Sequence, residues 1–368
     1  MHYLDNSATT MVSEKAAQKA MEIMTNQFGN PSSLHDFGFM AQKELEKART
    51  SIAEVLAVDK KQIFFTSGGT ESNNTAIFGT INSLKKFGNK IVTSAIEHPA
   101  VLECMKILEN DGFEVVYLKP NESGNILKED IEKAIDKNTI LVSLMSVNNE
   151  TGAILPLESV ALAIKKSGSK AYFHVDHVQG FCKIKLNIKS LGINLLTASG
   201  HKVHAPKGVG ILYKNVNIKP LIVGGGQEGD FRSGTENLAS ITALGVAVKE
   251  NFEHKKVKEL SDYLKNELSK IPEITFNSPK ENCDYIVNFS LGKVRGETML
   301  HFLASHGVYV STGSACSGSK GSHVLNALGY NQQRILSSLR VSLCRYNTKE
   351  DIDALIEALK LGLQKLAR

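Results

Sequence analysis

Short apolar, β-rich runs alternate with segments of helical period from about residue 36 to about residue 237, and this alternation constrains the fold most. The runs 62–66, 90–95, 114–118, 140–146, 171–176, 195–198 and 209–213 are expected strands. Between them, residues 36–57 form an amphipathic helix, and further helical segments start near Glu71, Pro99, Lys128, Leu157 and Val178. Such an order builds βαβ units. It predicts an α/β protein whose large domain holds a mainly parallel central sheet covered on both faces. Past Asn237 the texture changes to a charged helical stretch reaching about Lys270. A strand at 285–290, a helix at 297–304, a strand at 308–310 and a terminal helix from Lys349 follow, as expected of a smaller α+β domain. A chain of 368 residues has room for both. The expected division is a large domain at 15–250 and a small one made from 1–14 together with 251–368.

Charge and cysteine usage narrow the function classes. The net charge of +5 comes from Lys and Arg spread among acidic residues, which predicts no direct nucleic-acid binding. Met1-His2-Tyr3-Leu4-Asp5 has no charged region leading into an apolar stretch, and no window reaches the roughly eighteen apolar residues of a membrane helix. No membrane partner is expected. Cys104, Cys182, Cys283, Cys316 and Cys344 are odd in number and form no Cys-x-x-Cys pair. This argues for free thiols in a reducing cytoplasm and against a disulfide framework or a zinc site.

Three stretches carry chemistry. In Phe64-Phe65-Thr66-Ser67-Gly68-Gly69-Thr70-Glu71-Ser72-Asn73 a strand runs through small residues into a helix. Free amides and the helix dipole there suit an anion such as phosphate, with the Thr70 hydroxyl beside them. The same pattern also serves an ordinary capped turn, and no lysine stands where a P-loop needs one. In His174-Val175-Asp176-His177-Val178-Gln179 a carboxylate sits at the C-terminal end of an apolar strand, where open α/β sheets bind ligands. Buried there, Asp176 needs a cation or donor, either a protonated pyridine nitrogen or the start of the next helix. In Ser199-Gly200-His201-Lys202 a lysine follows another strand end, and enclosure near a phosphate and a pyridinium would lower its pKa enough for imine formation. Lys207 competes with it. Ser199 and His201, as extra phosphate donors, favour Lys202. The three together point to pyridoxal 5′-phosphate.

These blocks, in this order, resemble the cysteine desulfurases of the NifS/IscS kind, within the class V aminotransferase group of fold-type I pyridoxal-phosphate enzymes. The likeness runs almost end to end. It takes in Tyr3-Leu4-Asp5-Asn6-Ser7-Ala8-Thr9-Thr10, Gly29-Asn30-Pro31-Ser32-Ser33, Glu97-His98 and Val147-Asn148-Asn149-Glu150-Thr151-Gly152. It continues through Gly224-Gly225-Gly226-Gln227-Glu228, Arg232-Ser233-Gly234-Thr235-Glu236-Asn237, Gly313-Ser314-Ala315-Cys316 and Arg340-Val341-Ser342. The resemblance implies that Gly69, Thr70, Ser199 and His201 hold the phosphate, and that Thr235 reaches the phosphate of the neighbouring subunit in a homodimer. Asp176 would pair with the pyridine nitrogen, Gln179 and Asn149 would contact the ring-hydroxyl side, and His98 would stack on the ring and move protons. Lys202 would carry the cofactor and take the substrate's α-proton. Arg340 would clamp the substrate carboxylate, with Arg345 next in line.

Cys316 separates a desulfurase from a plain aminotransferase. Its thiolate would take sulfur from L-cysteine as a persulfide, leave L-alanine and pass the sulfur to an acceptor protein, an iron–sulfur scaffold or a tRNA-thiolating enzyme. The Ser- and Gly-rich setting at 311–322 suits a thiol that must be reachable and must travel. Whether Cys316 also lends itself to a transient iron–sulfur cluster stays open. Selenocysteine lyase activity and a β-elimination that frees sulfide are the alternatives. His177, Gly229-Asp230 and Cys344 depart from the family pattern, and His323 is the further histidine worth following.

Overall fold

The computed structural model describes residues 1–312 and 321–366. Among these, the strands are β1 (His2–Tyr3), β2 (Ile63–Thr66), β3 (Lys90–Ser94), β4 (Glu114–Leu118), β5 (Thr139–Met145), β6 (Tyr172–Asp176), β7 (Leu195–Ser199), β8 (Gly210–Lys214), β9 (Thr275–Phe276), β10 (Ile286–Ser290), β11 (Val308–Tyr309) and β12 (Ser338–Ser342). A seven-stranded sheet in the order β2-β8-β7-β6-β5-β3-β4 forms the centre. β8 runs antiparallel to both neighbours, and the remaining pairings are parallel. Ile91, Val92, Val142, Leu144, Val175, Leu196 and Ile211 are fully buried, as continuous apolar strands under helices on both faces must be.

The helix Gly69–Leu84 packs against the sheet from β5 to β8. Glu14–Asn26, Asp36–Leu56 and Leu238–Ala247 pack together, and their buried faces join the main core with Ile23, Leu45, Ile52 and Leu244. Ser13 caps the first of these by accepting from the Ala16 amide, and Ala57, left-handed at φ 54°, ends the second.

A second core gathers around the antiparallel sheet β12-β10-β9 and the helices His254–Ser269, Gly296–Ser305 and Lys349–Leu366. Leu4 belongs to it. The first residues thread between the two cores: β1 pairs in parallel with β11, and Asp5 bridges to Ser342.

Two helical expectations fail. No helix starts at Val178. Residues 178–183 form successive turns, with the Phe181 and Ile184 amides donating to the carbonyls of His177 and Gly180, and Cys182 at φ 58° turns the chain out of helical geometry. The stretch from 237 to 270 is two helices, not one. Glu253 at φ 51° interrupts it, while the Asn251 and Phe252 carbonyls accept from Arg345 and Tyr285 instead of continuing a helical ladder. The departure Gly229-Asp230 lies in a left-handed run with Glu228 (φ 51°, 62° and 63° for 228, 229 and 230). The Glu228 carboxylate anchors that run: it is buried, paired with both Arg49 terminal nitrogens at 2.7 and 2.8 Å, and accepts from the Phe65 amide.

Candidate active site

The C-terminal ends of β6 and β7 and the N-terminus of the helix Gly69–Leu84 open onto one cavity of about 520 Å3. Gly69, Thr70, His98, Asn149, Asp176, Gln179, Ser199, His201, Lys202 and Arg340 all line it. Every site residue expected from the sequence is therefore brought together except two. Thr235 is exposed and does not line this cavity, and Cys316 lies outside the described residues.

Lys202 ends a short 3-10 turn after β7, and its Nζ donates to the Ser7 and Ala8 carbonyls at 2.6 and 2.7 Å. Burial, then the nearby charges of Lys183 and Arg340, bring its pKa down to about 7. An amine so tuned is neutral often enough to act as a nucleophile at neutral pH. Lys207 is exposed and lines no part of the cavity.

Asp176 closes β6 and is 5 % exposed. Its carboxylate accepts from Asn73 Nδ2 at 2.7 Å and from the Val178 amide at 3.0 Å. Burial still pushes its pKa up, so these two donors leave room for a cationic partner. Asn73 Oδ1 is buried without a hydrogen-bond partner among the described residues.

No side chain caps the helix at Gly69, so its first amides face the cavity beside Ser199 and His201. A Cβ at Gly69 would come within 2.9 Å of Val178 Cγ2, which is why the backbone can lie this close to the cavity floor only as glycine. Burial lowers the His201 pKa to about 4, leaving a neutral ring.

Arg340 stands in the middle of β12 and is 4 % exposed. Its terminal nitrogens donate to the Asn149 carbonyl at 2.9 Å and to Asp5 Oδ1 at 2.7 Å, while Nε is buried without a partner among the described residues. Arg345, the other candidate clamp, pairs with Glu250 and lies over Phe252 and Tyr346, away from this cavity.

Several lining residues had no assigned role. His323 lines the cavity, its Nε2 within 3.0 Å of the Glu97 carbonyl, and burial lowers its pKa. Glu150 is buried, its pKa pushed up to about 7 by burial, and it accepts from Ser322 at 2.5 Å. Asn73, Ser7, Ala8 and Glu150 fall inside sequence blocks already singled out, so a signal was there. His98 caps the helix Pro99–Asn110 by accepting from the Ala100 amide, and burial lowers its pKa. His177 faces a different cavity and bonds Ser146 Oγ at 2.8 Å, so this departure from the pattern does not crowd the floor at Asp176.

Known proteins share this architecture. The family model for class-V aminotransferases matches residues 2–355. A cysteine desulfurase IscS of Dictyoglomus turgidum is 41 % identical over 375 residues, covering 99 % of this chain and 95 % of that protein. Another from Clostridium botulinum is 42 % identical, covering 97 % and 93 %. A solved NifS-like protein superposes with a TM-score of 0.92 at 36 % identity over 99 % of both chains. SspA, solved in complex with cysteine, gives 0.85 at 33 % identity over 95 % of this chain and all of its own. The chain belongs to the class-V aminotransferase family, among its cysteine desulfurases of the NifS/IscS kind.

Proposed function

We propose that this chain is a pyridoxal-phosphate-dependent cysteine desulfurase that converts L-cysteine to L-alanine and carries the sulfur on Cys316 to an acceptor protein. The observation that carries the reading is the meeting, in one cavity, of a lysine tuned to about 7, a buried carboxylate and a buried guanidinium with an unfilled donor. The relatives' names favour cysteine desulfuration over selenocysteine cleavage or β-elimination.

The cavity fits the cofactor. The uncapped helix start at Gly69, with Thr70, Ser199 and His201, would hold the phosphate. Asp176, short of a cationic partner, would face the ring nitrogen, and Gln179 and Asn149 would border the ring's hydroxyl side. When bound, pyridoxal phosphate supplies an electron sink for negative charge at the substrate's α-carbon.

The chain's own residues do the rest. Lys202, free as an amine near neutral pH, would anchor the cofactor and then accept the α-proton at Nζ. Arg340 would take the substrate carboxylate, using Nε and the donors it now lends to Asp5 and Asn149. His98 and His323, neutral where they sit, would hold or pass a proton at the cavity mouth. The Cys316 thiolate would attack the substrate sulfur, forming one S–S bond as the carbon–sulfur bond breaks.

A homodimer is part of this reading. Met21, Met24, Phe28, Leu34, Phe39 and Met40, on or beside the first two helices, are exposed apolar side chains, as are Leu221 and Val223. Thr235, exposed and outside its own cavity, would serve the neighbouring subunit's phosphate.

Two variants test the proposal. Lys202→Ala should lose the visible absorbance of the lysine-linked cofactor and all turnover. Cys316→Ser should keep that absorbance and lose alanine and persulfide formation. Full desulfuration of cysteine by Cys316→Ser would overturn the persulfide route.

A further inference from the structure

A line of hydrogen bonds leaves the active-site cavity and ends on a second lysine. Gln179 Nε2 donates to the Ser7 carbonyl at 3.0 Å, and Lys202 Nζ donates to that same oxygen at 2.6 Å. The other end of the Gln179 carboxamide, Oε1, accepts from Lys183 Nζ at 3.3 Å. An amide side chain has two orientations of nearly equal shape, and its neighbours choose between them. A Lys ammonium only donates, so Lys183 fixes the oxygen of Gln179 on its own side and turns the NH2 toward Ser7.

Lys183 reaches this position from a separate cavity, of about 850 Å3, lined also by His177, Cys182, Cys283 and Tyr285. Asp284 lines the same cavity but forms no ion pair with Lys183 among the described residues; the groups that act on Lys183 most are the thiols of Cys182, Cys283 and Cys344, the Arg340 guanidinium and the Tyr285 ring 5.7 Å away. Cys182, left-handed at φ 58°, ends the turn and sets the direction in which Lys183 leaves the chain.

Resting on the assignment of Lys202 as the cofactor-bearing lysine, we propose that Lys183 is a positioning residue for it: Lys183 orients Gln179, keeps the Ser7 carbonyl shared between Gln179 and Lys202, and lends a positive charge to the closed end of the site. The charge balance at Lys202 agrees. After burial, Lys183 is the largest influence lowering its pKa, ahead of Arg340, and both are opposed by Asp5 and Asp176. His98 and His201 also feel Lys202, but their rings are held neutral by burial. Lys183 itself is pushed down by burial.

The test uses the cofactor-free protein, so that it reads the amine and not turnover. Trace acetylation of Lys202 with acetic anhydride across pH, followed by peptide mass spectrometry, gives the midpoint at which the amine becomes reactive. Lys183→Met should move that midpoint up by about one pH unit, the scale of a lost like charge. Lys183→Arg should restore it, and Lys183→Gln, which keeps a donor for Gln179 but no charge, should resemble Lys183→Met. If Lys183→Met does not fold, the contrast between the Arg and Gln variants carries the same comparison. An unchanged Lys202 midpoint in the Met and Gln variants overturns the proposal. Failure of the Lys202 assignment looks different: Lys202→Ala would then retain the cofactor absorbance, whatever Lys183 does.

Discussion

Glu97 offers a stringent test of the electrostatics beneath the site. It is fully buried next to His98, accepts from Ser94 Oγ at 2.5 Å and from the Met145 amide at 3.0 Å, and leaves Oε2 without a partner among the described residues. Burial, with a smaller contribution from the nearby Asp176 carboxylate, raises its pKa to about 8. A raised carboxyl pKa means the folded protein holds a proton that the unfolded chain releases from about pH 4.5 upward. Stability from this group is therefore intact below about 4.5 and is lost as pH rises toward about 8. Each unit is worth about 1.4 kcal/mol, so the loss between pH 5 and pH 8.5 is about 4 kcal/mol.

Glu97→Gln removes the titration and keeps an acceptor for Ser94 and Met145. Urea unfolding of the cofactor-free protein at several pH values, wild type against E97Q, reads the effect. Glu150 and Asp176 are also shifted upward but remain in both proteins, so the difference between the curves belongs to Glu97. E97Q should gain on the wild type steadily with rising pH. Parallel curves across that range would refute the reading of Glu97 as a neutral, proton-retaining acid.

Other variants test other contacts. Arg340→Ala should raise the KM for cysteine far more than it lowers cofactor content, with a loss of about 2–5 kcal/mol in substrate binding, because the substrate carboxylate would be desolvated without its cationic partner; Arg345→Ala should leave KM unchanged, and steady-state kinetics with absorbance titration separate the two. Arg49→Met should cost about 3–5 kcal/mol by denaturant titration, since it strands the buried Glu228 carboxylate, and adding Glu228→Leu should recover part of that loss.

The central sheet was legible because its strands are buried on both faces and read as unbroken apolar runs. β12 was missed for the opposite reason. Ser338-Leu339-Arg340-Val341-Ser342 alternates polar and apolar residues yet is buried throughout, its polar side chains bonded to Ile335, Asp5 and Leu4, partners remote or unguessable in sequence. The break at Glu253 depends likewise on contacts with residues far along the chain. In the site, Gly69, Asp176 and Lys202 could be found because each follows a strand end. Lys183 could not, since its tie to Lys202 runs through a side chain and a carbonyl contributed by residue 7.

The threading of the first residues also sets an order of assembly. Ser7 and Ala8 hold Lys202, but they are themselves held through β1 and Asp5 by β11 and β12, more than three hundred positions later. On the ribosome residues 2–5 must therefore wait for their partners until nearly the whole chain has emerged. A nascent chain long enough to contain Lys202 still lacks Arg340, one of the charges that tune it, and the strands that fix the Ser7 and Ala8 carbonyls against it. Competence arrives late and all at once, when the two ends of the polypeptide close on each other.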